Sequence, residues 1–181
     1  MDKLLVMVNG LPGAGKSTLG RSLARELDAR FLSKDAVKEA LAACVDGAGA
    51  LDALGGIAMD TVWALAQAIP GDVVIDSWWF APRDSSFARA GLDRVGAARA
   101  VEVWCDVPAE VARARYVSRT RADLYRDEEH LLADWDRWVA GAEPLGLTAA
   151  LVVETSGPVD CVRLASRIRS VAEPLGGAAR R

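Results

Sequence analysis

Residues Gly10-Leu11-Pro12-Gly13-Ala14-Gly15-Lys16-Ser17-Thr18 constrain this chain more than any other stretch. They satisfy the spacing G-x-x-x-x-G-K-[ST] in a context that gives the spacing a physical use. An unbroken apolar run, Leu4 to Val8, precedes them, and a helical repeat of Leu19, Leu23 and Leu27 follows. Glycines at 10, 13 and 15 let the backbone take conformations closed to other residues and turn its N–H groups onto phosphate oxygens. The helix beginning near Lys16 adds its positive end at the same point. The stretch therefore predicts a phosphate-binding loop in which Gly10, Pro12, Gly13, Ala14, Gly15, Lys16, Ser17 and Thr18 surround a nucleoside triphosphate. Lys16 supplies a point charge to the β and γ phosphates, Ser17 a hydroxyl ligand for Mg²⁺, and Thr18 a contact to the α phosphate.

The apolar style of Leu4 to Val8 recurs at Val73 to Ile75, Val101 to Cys105 and Ala149 to Val153, short and largely β-branched. Helical spacing lies between these runs, at Leu51, Leu54, Ala58, Val62, Leu65 and Ile69, and again at Leu131, Trp135 and Trp138. Strands are predicted near 3–9, 30–33, 72–76, 100–106 and 149–154. Buried strands alternating with amphipathic helices imply an α/β three-layer sandwich, a five-stranded, mainly parallel sheet with helices on both faces. Ligands in such folds bind at the carboxyl ends of the strands.

With 181 residues, 51% hydrophobic and 26% charged, the chain has globular composition and the size of one domain, expected over 1–172 with a tail at 173–181. No apolar run approaches the roughly 20 residues of a membrane span. Met1-Asp2-Lys3 leads into the first strand with no secretory pattern, and Cys44, Cys105 and Cys161 suggest neither a disulfide framework nor a metal knuckle, so a cytoplasmic setting is expected. The net charge of −3 argues against a duplex-binding protein.

Asp76 closes the run Val73-Val74-Ile75, where a parallel strand delivers a side chain into the crevice; it is expected to orient an acceptor or hold a water on Mg²⁺, the alternative being a turn cap. Trp78, Trp79 and Phe80 follow, and three adjacent aromatics past a strand end cannot all face one core. At least one is expected to line the crevice or a lid, where aromatic faces suit a flat or partly apolar acceptor. Ordinary packing is the competing reading. Arg83 is a candidate for the acceptor or a phosphate, or else a solvated surface arginine. His130 reads as a solvated helix residue, and Cys105, Trp135 and Trp138 as packed positions.

The guanine-reading pattern Asn-Lys-x-Asp is absent, which favours ATP, and a chain used up in one small α/β unit favours a kinase over a motor or transporter. The loop, then Phe31-Leu32-Ser33-Lys34-Asp35, Val73-Val74-Ile75-Asp76-Ser77, and Cys105-Asp106-Val107-Pro108 leading into Arg113, Arg115 and Arg119, together resemble small P-loop kinases. These are of the AAA_33 and chloramphenicol-phosphotransferase-like type, nucleoside-kinase-like in fold, with the kinase half of phage polynucleotide kinase among them. The likeness covers roughly residues 3 to 140. It implies that Asp35 takes the proton of the attacking hydroxyl, a role that phosphoryl transfer independently asks of a carboxylate at a strand end. The competing role for Asp35 is N-cap of a helix beginning at Ala36. The resemblance also implies an Arg-rich lid over about 115–128, with Arg115 and Arg119 closing on the ATP phosphates. Ion pairs of those arginines with Asp123, Asp127 and Glu128 are the structural alternative. The leading expectation is an ATP- and Mg²⁺-dependent kinase for a small-molecule hydroxyl. A polynucleotide 5′-hydroxyl kinase and an ATP-binding regulatory protein are the rivals.

Overall fold

The computed structural model describes residues 2–48, 51–118 and 133–174. Its strands are β1 (Leu4–Asn9), β2 (Arg30–Ser33), β3 (Val73–Asp76), β4 (Arg99–Asp106), β5 (Ala149–Glu154) and the two-residue β6 (Glu173–Pro174). Its helices are α1 (Lys16–Leu27), α2 (Lys34–Ala42), α3 (Leu54–Ala68), α4 (Ala81–Val95), α5 (Ala109–Val117), α6 (Trp135–Ala140) and α7 (Cys161–Val171). Five strands run parallel in the order β2-β3-β1-β4-β5. Every residue of β1 and β3 is buried, as strands covered on both faces must be.

Alternation along β1 divides the core in two. Leu4, Val6 and Val8 pack with Leu19, Leu23 and Leu27 of α1, Ala112 and Tyr116 of α5, Trp135 and Trp138 of α6, and Leu164 and Ile168 of α7. Leu5 and Met7 point to the other face, against Val62 and Trp63 of α3 and Ala88, Leu92 and Val95 of α4. Each such Val, Leu, Ile or Met side chain removed from water stabilises the fold by roughly 1.5–3 kcal/mol relative to exposure. The result is the expected three layers.

Some boundaries differ from the sequence reading. α3 starts at Leu54, and Leu51, counted in its repeat, is 46% exposed in the preceding turns. α2 starts at Lys34 with Ser33 as its N-cap residue, so Asp35 sits inside the first turn and is not the cap. There its negative charge favours the helix N-terminus. The sheet also reaches two residues into the expected tail, because Glu173 and Pro174 pair antiparallel with Ala100 and Arg99 before β5 begins on that side of β4.

One buried polar network holds the strand ends together. Asn9 donates from Nδ2 to Glu102 Oε1 at 2.8 Å and to the Trp79 carbonyl at 3.1 Å, while its Oδ1 accepts from Gly10 N and Trp79 N. Glu102 Oε2 accepts from Leu145 N at 2.9 Å. This carboxyl, 1% exposed, has its pKa pushed up by burial, with its two hydrogen bonds pulling the other way. The network joins the start of the phosphate loop to the segment after β3.

Candidate active site

Register brings three strand ends level. Val8 of β1 stands beside Asp76 of β3, and Asp76 beside Ser33 of β2. The chain leaves these neighbours as the phosphate loop, as Ser77-Trp78-Trp79, and as Lys34-Asp35. All three loop glycines hold positive φ, Gly10 at +140°, Gly13 at +89° and Gly15 at +87°, where a side chain is strained. Gly13 also has no room for one: a Cβ there would lie 2.0 Å from the Ala112 carbonyl oxygen of α5. Lys16 Nζ folds back to donate to the carbonyls of Gly10, at 2.8 Å, and Leu11, at 2.9 Å. That position keeps the ammonium over the loop.

The Ser17 hydroxyl donates to Asp76 Oδ2, so the two side chains expected around Mg²⁺ are already joined. Asp76 is 4% exposed and its Oδ1 is buried without a hydrogen-bond partner. Burial pushes its pKa up; the Ser17 and Ser33 hydroxyls and the Lys16 charge oppose this, and the Asp35 charge adds to it. Two oxygens from Ser17 and Asp76, one of them unsatisfied, suit a hard cation that takes few protein ligands and keeps its waters and phosphates. Among the described residues no three His, Cys, Asp or Glu side chains gather into a cage. The donors therefore fit Mg²⁺ held mainly by a nucleotide. Cys105, also near Lys16 and Asp76, has its thiol pushed up to about 12 by burial, which makes it inert packing.

On the α7 side, a cavity of about 710 Å³ opens beside Gly13, Gly15 and Thr18 and is closed by Arg115 and the turn Ser156-Gly157-Pro158. The Arg115 guanidinium donates to the carbonyls of Thr155, at 3.0 Å, and Ser156, at 2.7 Å. Arg115, expected on the phosphates, here braces the turn after β5. Thr155 donates to the Ala14 carbonyl at 2.8 Å and fastens that turn to the loop. Reasoning from sequence missed Thr155 to Pro158, although Thr-Ser-Gly-Pro past a strand is a turn signal that marked them.

On the other side, a cavity of about 580 Å³ runs between α3 and α4 from Lys34 and Ser77, bordered by Trp78, Trp79 and Arg83. The aromatics divide between faces as expected: Trp79 joins the α3–α4 core and Phe80 the opposite one, with half-buried Trp78 packed against the latter. Trp79 is only 3% exposed, so it is floor more than free contact surface. Arg83 is spoken for by Asp84, with hydrogen bonds of 2.7 and 2.8 Å. Arg119, Arg121, Arg126 and His130, and most of the expected lid, lie outside the described residues.

Residues 5–145 match the model of the AAA_33 family, described as an AAA domain. The chain belongs to that family. Among solved structures, it is similar to a Chloroflexus aurantiacus protein assigned as a kinase, at 23% identity and a TM-score of 0.72 over 96% of this chain and 100% of that one. It is similar to a sugar kinase from a Janibacter species at 21% identity and a TM-score of 0.55, covering 93% of this chain and 94% of that one. A shikimate kinase from Acinetobacter baumannii, solved with shikimate, gives 19% identity and a TM-score of 0.53 over 92% and 90% of the two chains. At these identities the likeness is one of fold. The AAA_33 chain here thus has the P-loop kinase architecture, with its phosphate loop, the Ser17–Asp76 pair and two cavities, one beside the loop and one between α3 and α4.

Proposed function

We propose that this protein is a Mg²⁺-dependent kinase that transfers the γ-phosphoryl group of ATP to a hydroxyl of a small molecule. The observation supporting the reading is that the ends of β1, β3 and β2 come level and lead into the phosphate loop, Ser77 and the start of α2, with one cavity beside the loop and another opening from Lys34 and Ser77. ATP lies along the loop with its base toward Thr155 to Pro158, and the acceptor occupies the α3–α4 cavity. Ser17, with Asp76 behind it, would hold Mg²⁺, which when bound would supply charge neutralisation for the triphosphate. The acceptor oxygen forms the new bond to the γ phosphorus as the bond from that phosphorus to the β–γ bridging oxygen breaks. The electron pair leaves with ADP, and the acceptor proton passes to the Asp35 carboxylate. Asp76, committed to Ser17 and surrounded by hydroxyls and Lys16, suits the metal side better than proton transfer.

A partly aromatic cavity that opens from Lys34 and Ser77, next in chain to Asp35 and Asp76, speaks for an acceptor and against a purely regulatory ATP-binding role. The test is a screen with γ-labelled ATP against nucleosides, sugars, aminoglycosides, phenicols and 5′-hydroxyl oligonucleotides. One labelled product is the expected outcome; ATP turnover that no acceptor alters would sink the kinase reading.

A further inference from the structure

We infer that the acceptor carries an aryl or heteroaryl ring, bound between α3 and α4 with Phe87 against its outer face. This rests on the kinase reading above and assigns the class of its second substrate. The floor of the α3–α4 cavity is a pair of indoles: Trp63 and Trp79 lie with ring centroids 6.1 Å apart and planes 29° from parallel. Both are 3% exposed. The sequence makes this possible at Gly91 of α4, where a Cβ would stand 2.1 Å from Trp63 Cε2, so the helix is bare where the indole lies on it. Met59, an adaptable thioether, and Ala88 extend the apolar lining.

Phe87 borders the same cavity and is 70% exposed, the most exposed large hydrophobic side chain among the described residues. An isolated exposed phenylalanine needs no explanation, but this one stands at the edge of a cavity floored by indoles. Phe87, Trp63 and Trp79 thus line one cavity, and a flat ring there would meet aromatic surface. The charges around the cavity cancel, with Lys34, Arg83 and Arg94 against Asp52, Asp60 and Asp84, and the Arg83 guanidinium is already held by Asp84. A sugar acid calls for surplus positive charge, which this balanced lining does not supply, and the indole and thioether floor suits an apolar ring face. The cavity volume of about 580 Å³ lies within the roughly 300–1,000 Å³ of sites for drug-sized ligands.

Matched acceptors isolate the ring. Phosphoryl transfer from Mg-ATP is measured with phenylpropanediol against propanediol, and with adenosine against ribose, in the wild-type chain and in Phe87→Ala and Phe87→Tyr. Tryptophan emission is titrated with the same compounds. The expected result is a kcat/KM at least tenfold higher for one ring-bearing member of a pair, lowered about tenfold in Phe87→Ala through KM and restored in Phe87→Tyr. The two pairs distinguish an aryl from a nucleoside acceptor. Equal use of ringed and ringless acceptors, or no response to Phe87→Ala, overturns the aryl inference while leaving the kinase standing. If nothing is phosphorylated, the titration decides: saturable quenching weakened in Phe87→Ala keeps the aromatic site and discards the kinase, and no quenching discards both.

Discussion

Gly13 and Gly15 offer a controlled pair of substitutions, because their backbones are strained alike and their surroundings are not. At φ +89° and +87°, alanine at either position costs about 1–3 kcal/mol for left-handed backbone. At Gly15 that is nearly the whole cost, since the nearest atom to an added Cβ is Thr155 Cβ at 4.0 Å, an ordinary contact. At Gly13 the added Cβ falls 2.0 Å from the Ala112 carbonyl oxygen and 2.9 Å from its carbon. Those are backbone atoms of α5, a helix whose Ala112 and Tyr116 are packed in the core, so neither side yields by rotating a side chain. Overpacking of this kind adds about 1–3 kcal/mol. Gly13→Ala should therefore lose about 2–6 kcal/mol against 1–3 for Gly15→Ala. The assay is urea unfolding without nucleotide, followed by far-UV circular dichroism. With a slope of roughly 1–3 kcal/mol per molar urea, the Gly13 midpoint should fall about 1 M further than the Gly15 midpoint. Equal midpoints, or a larger loss at Gly15, would refute the argument that the phosphate loop is wedged against α5.

Lys16→Ala removes the charge over the loop and should lower ATP turnover by at least ~10² fold with the far-UV spectrum unchanged; near wild-type activity would undo the phosphate-loop assignment. Asp35→Asn should lower kcat by ~10² to 10⁴ fold with ATP binding retained, since amide and carboxylate share a shape but only the carboxylate is a base. Asp76→Asn should show a smaller defect that raised Mg²⁺ partly relieves, and the opposite ranking would reverse the two roles. Glu102→Gln turns an amide donor toward either Asn9 Nδ2 or Leu145 N and should cost about 1–3 kcal/mol at neutral pH, measured by urea unfolding. The Glu102 pKa is raised on folding, so its contribution is fully present below the unfolded value of about 4.5 and is lost as pH rises through the folded value. The wild-type advantage over Glu102→Gln should shrink across that window, and an advantage independent of pH would contradict the raised value.

The parts legible in the sequence are those carried by local pattern. Leu4 to Val8, the glycine spacing of residues 10 to 15 and the repeat Leu19, Leu23, Leu27 lie in one continuous stretch, and their periods decide strand, turn and helix without reference to the rest of the chain. The order of strands and helices followed in the same way, and with it the expectation that Asp76 closes one strand and Asp35 follows another. Other features depended on which residues meet across the fold. Ser17 joins Asp76 across 59 positions, and Asn9 joins Glu102 across 93, pairings no window of sequence displays. The resemblance implied a phosphate role for Arg115, and its contacts with the carbonyls of Thr155 and Ser156, which arise only because β5 lies beside β4, were not legible. Trp63 carries no local signal that sets it apart from the apolar repeat of its helix. Its place as cavity floor follows from Gly91, 28 residues on, lacking a side chain. Backbone propensity and hydrophobic period act over a turn or two of chain, so they set the elements; contacts between distant residues are set by how those elements pack, and only the tertiary structure decided them.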